Sequence, residues 1–437
     1  MKIITSILSG LMLSAVSFSQ VPKEFAAKFA KENAAGLIQQ YQYLHTHPEL
    51  STHEQHTAAI LKKEMRLMGY NIVDSLGFES FAAVMSNGKG RTILYRTDMD
   101  GLPVFEKTAL PYASKDSGLK DGVTVPAMHA CGHDIHMSTW LGLARLLSSH
   151  KNNWKGTIIF LAQSAEETGQ GAKKAVATSA FQQLPQPDFQ LAIHDHAELQ
   201  TGQVGFCNDF SMAAVDMMDI TIYGKGGHGA SPQNAIDPIV IAAQFINEIQ
   251  TIVSRNLSPN DPAVITVGAI HGGTVGNIIP DQVVLKLTIR SYAKETRQII
   301  FNRIKQIGDH LAQAAGLPSD KLPTYYLLDM SIPAVYNNPV LGEMLKTIVK
   351  NNFGEAAIAP MKPIMIGEDF GVYGQQSSKI PSYILWMGTV SPERKSNSLA
   401  NNISLPSLHT AYFAPDAELA IPSNVAIIGT CLLEMMR

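Results

Sequence analysis

The chain has 437 residues, 45% of them hydrophobic and 16% charged, with a formal net charge of -3. Its length exceeds what one hydrophobic core usually serves, so two domains are expected. The near-neutral balance, without a clustered Lys/Arg run, excludes the electrostatic footprint of a nucleic-acid binder. The three cysteines, Cys131, Cys207 and Cys431, are odd in number, so at least one is unpaired within the chain.

The first residues, "MKIITSILSGLMLSAVSFSQ", place one Lys before an apolar run and small residues at Ser17 and Ser19. This reads as a secretory signal over residues 1–19, giving an exported product, periplasmic or secreted, with no membrane contact after cleavage. No other stretch is read as a membrane span.

Two helical stretches follow, "EFAAKFAKENAAGLIQQYQYLHTHPEL" and "STHEQHTAAILKKEMRLMGY", with Pro48 between them. Strand-like runs then alternate with helical ones: "RTILY" (91–95), "STWLGLARLLSSH" (138–150), "GTIIFLAQ" (156–163), "GAKKAVAT" and "FQLAI" (189–193). The alternation predicts an α/β fold with a mostly parallel sheet flanked by helices.

The character changes near residue 214. "AAVDMMDITIYGK", "DPIVIAAQFINEIQTIVSRN", "AVITVGAIHGG", "DQVVLKLTIRSYA" and "ETRQIIFNRIKQIGDHLAQAAG" read β-α-β-β-α, with a last strand near "TYYLL". That order predicts a split βαβ, ferredoxin-like α+β insert over 214–325, between catalytic segments at 20–213 and 326–437. The final segment carries a helix ("NPVLGEMLKTIVKNNFG"), a strand ("SYILWMG") and a last helix from about Pro422.

Each strand of the first segment runs into reactive side chains. "RTILYRT" leads to Asp98 and Asp100, "TIIFLAQSA" to Glu166 and Glu167, and "FQLAI" to His194, Asp195 and His196. Open parallel sheets bind ligands beyond the carboxyl ends of their strands, so one edge collects these groups. The stretch "PAMHACGHDIHMS" adds His129, Cys131, His133, Asp134 and His136. Cys131, His133, Glu167 and His194 offer thiolate, imidazole and carboxylate, a donor mixture suited to a borderline transition metal. Two residues apart in an extended segment, Cys131 and His133 would share a face. A structural zinc ribbon would need Cys-x-x-Cys pairs, which are absent, so the mixture points to a catalytic metal. Neighbouring Glu166 and Glu167 can divide the labour, one binding metal and one taking a proton from water. Cys207 and Cys431 lie in apolar surroundings and read as core thiols.

"GKGGHGASP" contains Gly224, Gly226 and Gly229 in G-x-G-x-x-G spacing. Pro232 follows where a dinucleotide fingerprint requires its helix to continue, and no acid stands at a second strand end about 20 residues on, so a nucleotide cofactor is rejected.

The motifs "RTDMDGLPV", "MHACGHDIHMS", "AEETGQGAKK", "GKGGHGASPQNAIDP", "GGTVGNIIPDQV", "IGEDFGVYGQ" and "LHTAYFAPDAELA" stand in one order along nearly the whole mature chain. Together they resemble metallopeptidase family M20, in its amidohydrolase branch of hippurate, indole-acetyl-amino-acid and N-acetyl-diaminopimelate hydrolases. The resemblance implies a catalytic domain built from both chain ends and an inserted lid or dimerisation domain. It also implies a site for two divalent metal ions held by Cys131, His133, Glu167, His194 and His409, with Zn, Mn, Co and Ni all compatible. Cys131 would bridge, where other branches use aspartate, and Glu166 would be the general base. Asp98, Asp100 and Asp134 would orient ligands, Asp134 foremost. His228 would polarise the scissile carbonyl, often from a partner subunit, while Asn277 and Arg290 would bind substrate. The implied substrate is an N-acyl amino acid or short peptide, and the implied assembly a homodimer through the insert. Two departures stand out. His196 is an extra imidazole, expected to face solvent, and Ile135 replaces a small residue and is expected to reshape the pocket wall.

Overall fold

A computed structural model describes residues 22–376 and 380–437 of the chain. The leader read at residues 1–19 lies outside them. The helices are α1 (Pro22–Thr46), α2 (Gln55–Leu67), α3 (His133–Ser149), α4 (Pro238–Thr251), α5 (Lys294–Ala314), α6 (Pro339–Phe353) and α7 (Ala417–Met435), besides shorter pieces. The strands of the two main sheets are β1 (Asn71–Val73), β2 (Phe81–Asn87), β3 (Thr92–Asp98), β4 (Gly156–Gln163), β5 (Phe189–Gln200), β6 (Val204–Phe206), β7 (Ala214–Tyr223), β8 (Ala263–His271), β9 (Gln282–Ser291), β10 (Thr324–Leu327), β11 (Ile358–Pro360) and β12 (Ser382–Val390).

The larger sheet has eight strands in the order β1-β2-β4-β3-β5-β12-β6-β11. Its central strands β4, β3, β5 and β12 are parallel, with Leu94 opposite Ile159 and Gln190, and Ile193 opposite Leu385. They are near-continuous apolar runs because helices cover both faces. The flanking pairs β1–β2, β2–β4 and β12–β6 are antiparallel. So the sheet is mixed, with the expected parallel order confined mainly to the strands that carry the reactive side chains.

α1, α3 and α7 cover one face. α3 is buried from His133 to Ala144, and its surface is apolar nearly all round, as a helix wedged between sheet and neighbouring helices must be. α7 is long and apolar enough to cross a bilayer, contrary to the reading that no such stretch exists after the leader. Here it lies in the core, with Ile421, Val425, Ile428 and Leu432 at most 1% exposed. It starts at Ala417, ahead of Pro422, which sits inside the helix.

The smaller sheet is antiparallel, ordered β8-β9-β7-β10, and with α4 and α5 gives the β-α-β-β-α-β arrangement of a ferredoxin-like unit. β7 alternates buried and half-buried residues along its length, so its two faces differ. Ile220, Ile222, Leu285 and Ile289 meet Phe245 and Ile300 of the helices. The opposite face, with Val215, Met217, Thr288 and Arg290, carries no helix and roofs a cleft over the larger sheet's carboxyl edge.

Candidate metal centre and substrate cleft

Cys131 and His133 flank the turn into α3. The segment is not extended as the sequence reading assumed: Gly132 has φ 83°, and a Cβ there would run into the Asp195 carboxylate. Only glycine meets both demands. The turn aims Cys131 Sγ and the His133 ring at the sheet edge. His133 Nδ1 donates to the Asp100 carbonyl at 2.8 Å, and its Nε2 is buried without a hydrogen-bond partner. His194 is fixed the same way, Nδ1 donating to the Asp195 carbonyl at 2.9 Å and Nε2 lying 3.6 Å from Cys131 Sγ. His409 comes from the far end of the chain and reaches Cys131 Sγ with Nε2 at 3.1 Å. Its backbone is in the left-handed region, φ 62°, held by its N–H donating to the Ala130 carbonyl at 2.8 Å. Such conformations persist where the surroundings over-determine them, and they cluster at functional sites.

Glu167 Oε1 lies 3.4 Å from His409 Nε2 and 3.9 Å from His133 Nε2. Like His133 Nε2, it is a buried atom with no partner. Native interiors rarely orphan such groups unless something else binds them. The ligand atoms of Cys131, His133 and His194 lie within 4.8 Å of one another, and so do those of Cys131, Glu167 and His409. The sets share Cys131. Thiolate, imidazole and carboxylate donors in two sets sharing one thiol fit divalent transition-metal ions, which these residues would hold.

Burial pushes the Cys131 thiol well up, and Glu167 and Glu166 push the same way; a dication beside the sulfur would favour the thiolate. Burial also lifts the Glu166 carboxyl well above the usual carboxylate range, helped by the negative charges of Glu368, Glu167 and Asp369. Burial lowers His194 far below an ordinary histidine, which favours the neutral ring a metal would need.

Asp100 is the acid that holds the ligands: beyond the carbonyl contact, its Oδ2 accepts from the Glu167 N–H at 3.0 Å. The expectation that Asp134 does so is corrected. Its Oδ2 lies 2.7 Å from His45 Nδ1, and His45 Nε2 lies 3.1 Å from Glu106. Asp134 therefore anchors the start of α3 to α1 instead. Asp98 accepts from His136 Nδ1 at 2.7 Å, and His136 Nε2 accepts from the Asp195 N–H at 3.0 Å. Ile135 sits in the main core, away from the cleft wall. His196 lies edge-on to Trp386 at 5.4 Å, only partly exposed.

A network behind Glu166 escaped the sequence reading. Arg96 is fully buried and reaches Asp98 at 2.6 Å, Asp369 at 3.0 Å and Glu368 at 3.1 Å. Oxygens of Glu166, Glu368 and Asp369 lie within 4.8 Å of one another. Ala165, just before Glu166, has φ 57°, and its N–H donates to Glu54 at 2.7 Å. The only signal in sequence was the unassigned pair Glu368-Asp369 within "IGEDFG".

The centre opens into a cleft of about 630 Å3 lined by Cys131, Glu166, Glu167, His194 and His409 on the floor and by Arg290 in the roof. That is the size of a small-molecule site. His228 and Asn277 do not line it. They sit on the insert, where His228 pairs with Ile278 and Gly229 N–H donates to the Asn277 carbonyl at 2.9 Å. The chain brings Arg290 to its own centre and leaves His228 and Asn277 exposed on the lid.

A parallel sheet edge that gathers a thiol, imidazoles and carboxylates under an inserted lid defines a metallohydrolase. The model of "Peptidase family M20/M25/M40" matches residues 94–412. The chain is 34% identical over 402 residues to N-acetyldiaminopimelate deacetylase of Lacticaseibacillus casei (strain BL23), covering 90% of this chain and 96% of that protein. To N-acetyl-L-cysteine deacetylase of Bacillus subtilis (strain 168) it is 36% identical over 348 residues, 79% of each. Among solved structures it resembles a Bacillus subtilis dinuclear metal-binding peptidase of the M20 family, with TM-score 0.74, 28% identity and 93% and 99% of the two chains covered. The chain belongs to peptidase family M20, in its amidohydrolase branch, and is a hydrolase.

Proposed function

We propose that the chain is a metal-dependent amidohydrolase that removes the acyl group from an N-acyl amino acid, with Glu166 as general base. The carrying observation is the convergence of two donor sets on Cys131 beside a buried Glu166. Cys131, His133, Glu167, His194 and His409 would hold two divalent ions, which supply carbonyl polarisation and a more acidic water. Glu166, in the cleft and 4.0 Å from His133 Nε2, accepts the proton of the attacking water and delivers it to the leaving nitrogen. Arg290 receives the free carboxylate of the amino-acid half. The relatives' names, deacetylases of N-acetyl amino acids, support this substrate class.

His228 would serve a second subunit. It lies outside its own cleft, and the insert presents the edge strand β8 with Ile270 exposed, beside exposed Ile239 and Val240 on α4. A homodimer through that face would carry His228 to the partner's centre, where it could stabilise the developing oxyanion. Export is proposed from the leader sequence and is checked by N-terminal sequencing of the processed chain.

The test is a panel of N-acetyl amino acids given to chelator-stripped chain refilled with Mn, Zn, Co or Ni, with released amine measured. Metal-dependent release abolished in Glu166→Ala is expected. Release that survives Glu166→Ala unchanged would contradict the role of Glu166.

A further inference from the structure

We infer that the roof of the cleft selects the amino-acid half of the substrate, and that it takes an unbranched or branched apolar side chain of methionine or leucine size beside a single carboxylate. This rests on the amidohydrolase reading above and names its substrate class more narrowly.

Strands β7 and β9 bury one face under α4 and α5. The period of two therefore turns Val215 and Met217 of β7, and Thr288 and Arg290 of β9, toward the other face. Val215 stands opposite Arg290 and Met217 opposite Thr288 in register. These residues form a patch with one positive charge in an apolar field. The facing wall continues it: Met330, Ile332, Met365 and Ile366 line the same cleft.

Among the described residues, Arg290 is the only Lys or Arg lining that cleft. It is available for a ligand, because the acid nearest it in the register, Asp216, is already taken by Arg297 in two hydrogen bonds of 2.6 and 2.7 Å. Around Arg290 the surroundings are dry enough for burial to lower its proton affinity. A carboxylate there makes a strong charge-assisted pair. With that carboxylate on Arg290 and the scissile carbonyl at the Cys131 centre, the Cα substituent falls among Met217, Met330, Ile332 and Met365. Methionines adapt to linear and branched apolar chains alike. A second carboxylate or ammonium would meet no partner of opposite charge in this wall, and burying it unpaired is disfavoured. The acids of the cleft, Glu166 and Glu167, lie at the metal end. The chamber therefore departs from what a distal zwitterion such as that of diaminopimelate requires.

The experiment measures kcat/KM of the metal-loaded chain on N-acetyl-L-methionine, N-acetyl-L-leucine, N-acetyl-L-glutamate, N-acetylglycine, N-acetyl-LL-diaminopimelate and N-hexanoylglycine. The expected result is a preference of at least ~10-fold for the methionine and leucine substrates over N-acetylglycine, and ~100-fold over the diaminopimelate substrate, in line with what apolar fit and an unpaired charge discriminate. Met217→Lys adds a second cation and should shrink the methionine-to-glutamate ratio of the N-acetyl substrates by ~10-fold or more. That ratio is insensitive to how much of the variant folds. Hydrolysis of N-acetylglycine with no gain from an apolar side chain would overturn the inference and leave the hydrolase reading standing. So would a gain that follows the hexanoyl group instead. Silence on every substrate, N-acetylglycine included, would overturn the hydrolase reading itself and the inference with it.

Discussion

Cys131 Sγ and His409 Nε2 meet at 3.1 Å across 278 residues of sequence. The thiol comes from the turn into α3 and the imidazole from the last loop before α7, so the centre closes only when both ends of the chain have docked on one sheet. Cys131→Ala should therefore lose both proposed ions together, since each donor set includes this sulfur. Metal analysis after desalting is expected to fall from two ions per chain to less than one. Cys131→Asp keeps an anionic bridge and should retain more metal than the alanine variant.

Glu166 stands apart from the ligands in role. Glu166→Gln preserves size and the neighbouring ligand set, so metal content should stay as in the wild type. The chemical step should slow by ~10²–10⁴-fold, the usual worth of a positioned general base. Comparison of kcat with metal stoichiometry in the same preparation checks this. Loss of metal in parallel with activity would instead make Glu166 a ligand.

Asp100 ties His133 and Glu167 to the end of β3, through the His133 Nδ1 contact at 2.8 Å and the Glu167 N–H at 3.0 Å. Asp100→Ala keeps the main-chain carbonyl that accepts from His133 Nδ1 but removes the Oδ2 acceptor of the Glu167 N–H and the Oδ1 lying 3.3 Å from His133 Nδ1, and should weaken metal affinity by ~10–100-fold, as removal of ligand-orienting groups does. Asp134→Ala should leave metal affinity closer to wild type and lower thermal stability, because its partner is His45 of α1. Metal titration and melting curves on the two variants separate the roles.

The His45 cluster gives the fold a pH signature. Burial works against a charged His45, but hydrogen bonds to Asp134 and Glu106 outweigh it and raise its pKa from 6.5 to about 9. Glu106 and Asp134 are correspondingly lowered despite burial, by their bonds to His45. The raised imidazole stabilises the fold fully below pH 6.5 and loses that contribution as pH climbs through about 9. The two lowered carboxylates contribute above their ordinary values of 4.5 and 3.8 and lose it as pH falls below them. His45→Gln should therefore cost most in Tm near pH 6 and progressively less toward pH ~9.5. An undiminished difference at high pH would show that His45 is not held protonated.

Much of the site was legible in sequence because it is local. Strand runs ending in Asp98, Glu166 and His194 announce which sheet edge carries chemistry, and the spacing of Cys131 and His133 survives the left-handed turn at Gly132. What stayed hidden is long-range. Nothing near Arg96 in sequence marks Glu368, 272 residues away, as its partner. Asp134 looked like a ligand support because it adjoins His133, yet a helix start points successive side chains in different directions, and its carboxylate faces α1. Ile135 is turned into the core by the same geometry. α7, not read as a span in sequence, is long and apolar enough for one, and its burial between α1, α3 and the sheet accounts for its apolar character.

The most direct test of the dinuclear account is a titration of stripped chain with one metal, following bound ions per chain and amine release from an N-acetyl amino acid together. The account predicts uptake of two ions per chain, with activity appearing as the second site fills and with His409→Ala lowering the occupancy of one site only. Full activity at one bound ion, or no uptake by the intact chain, would contradict it.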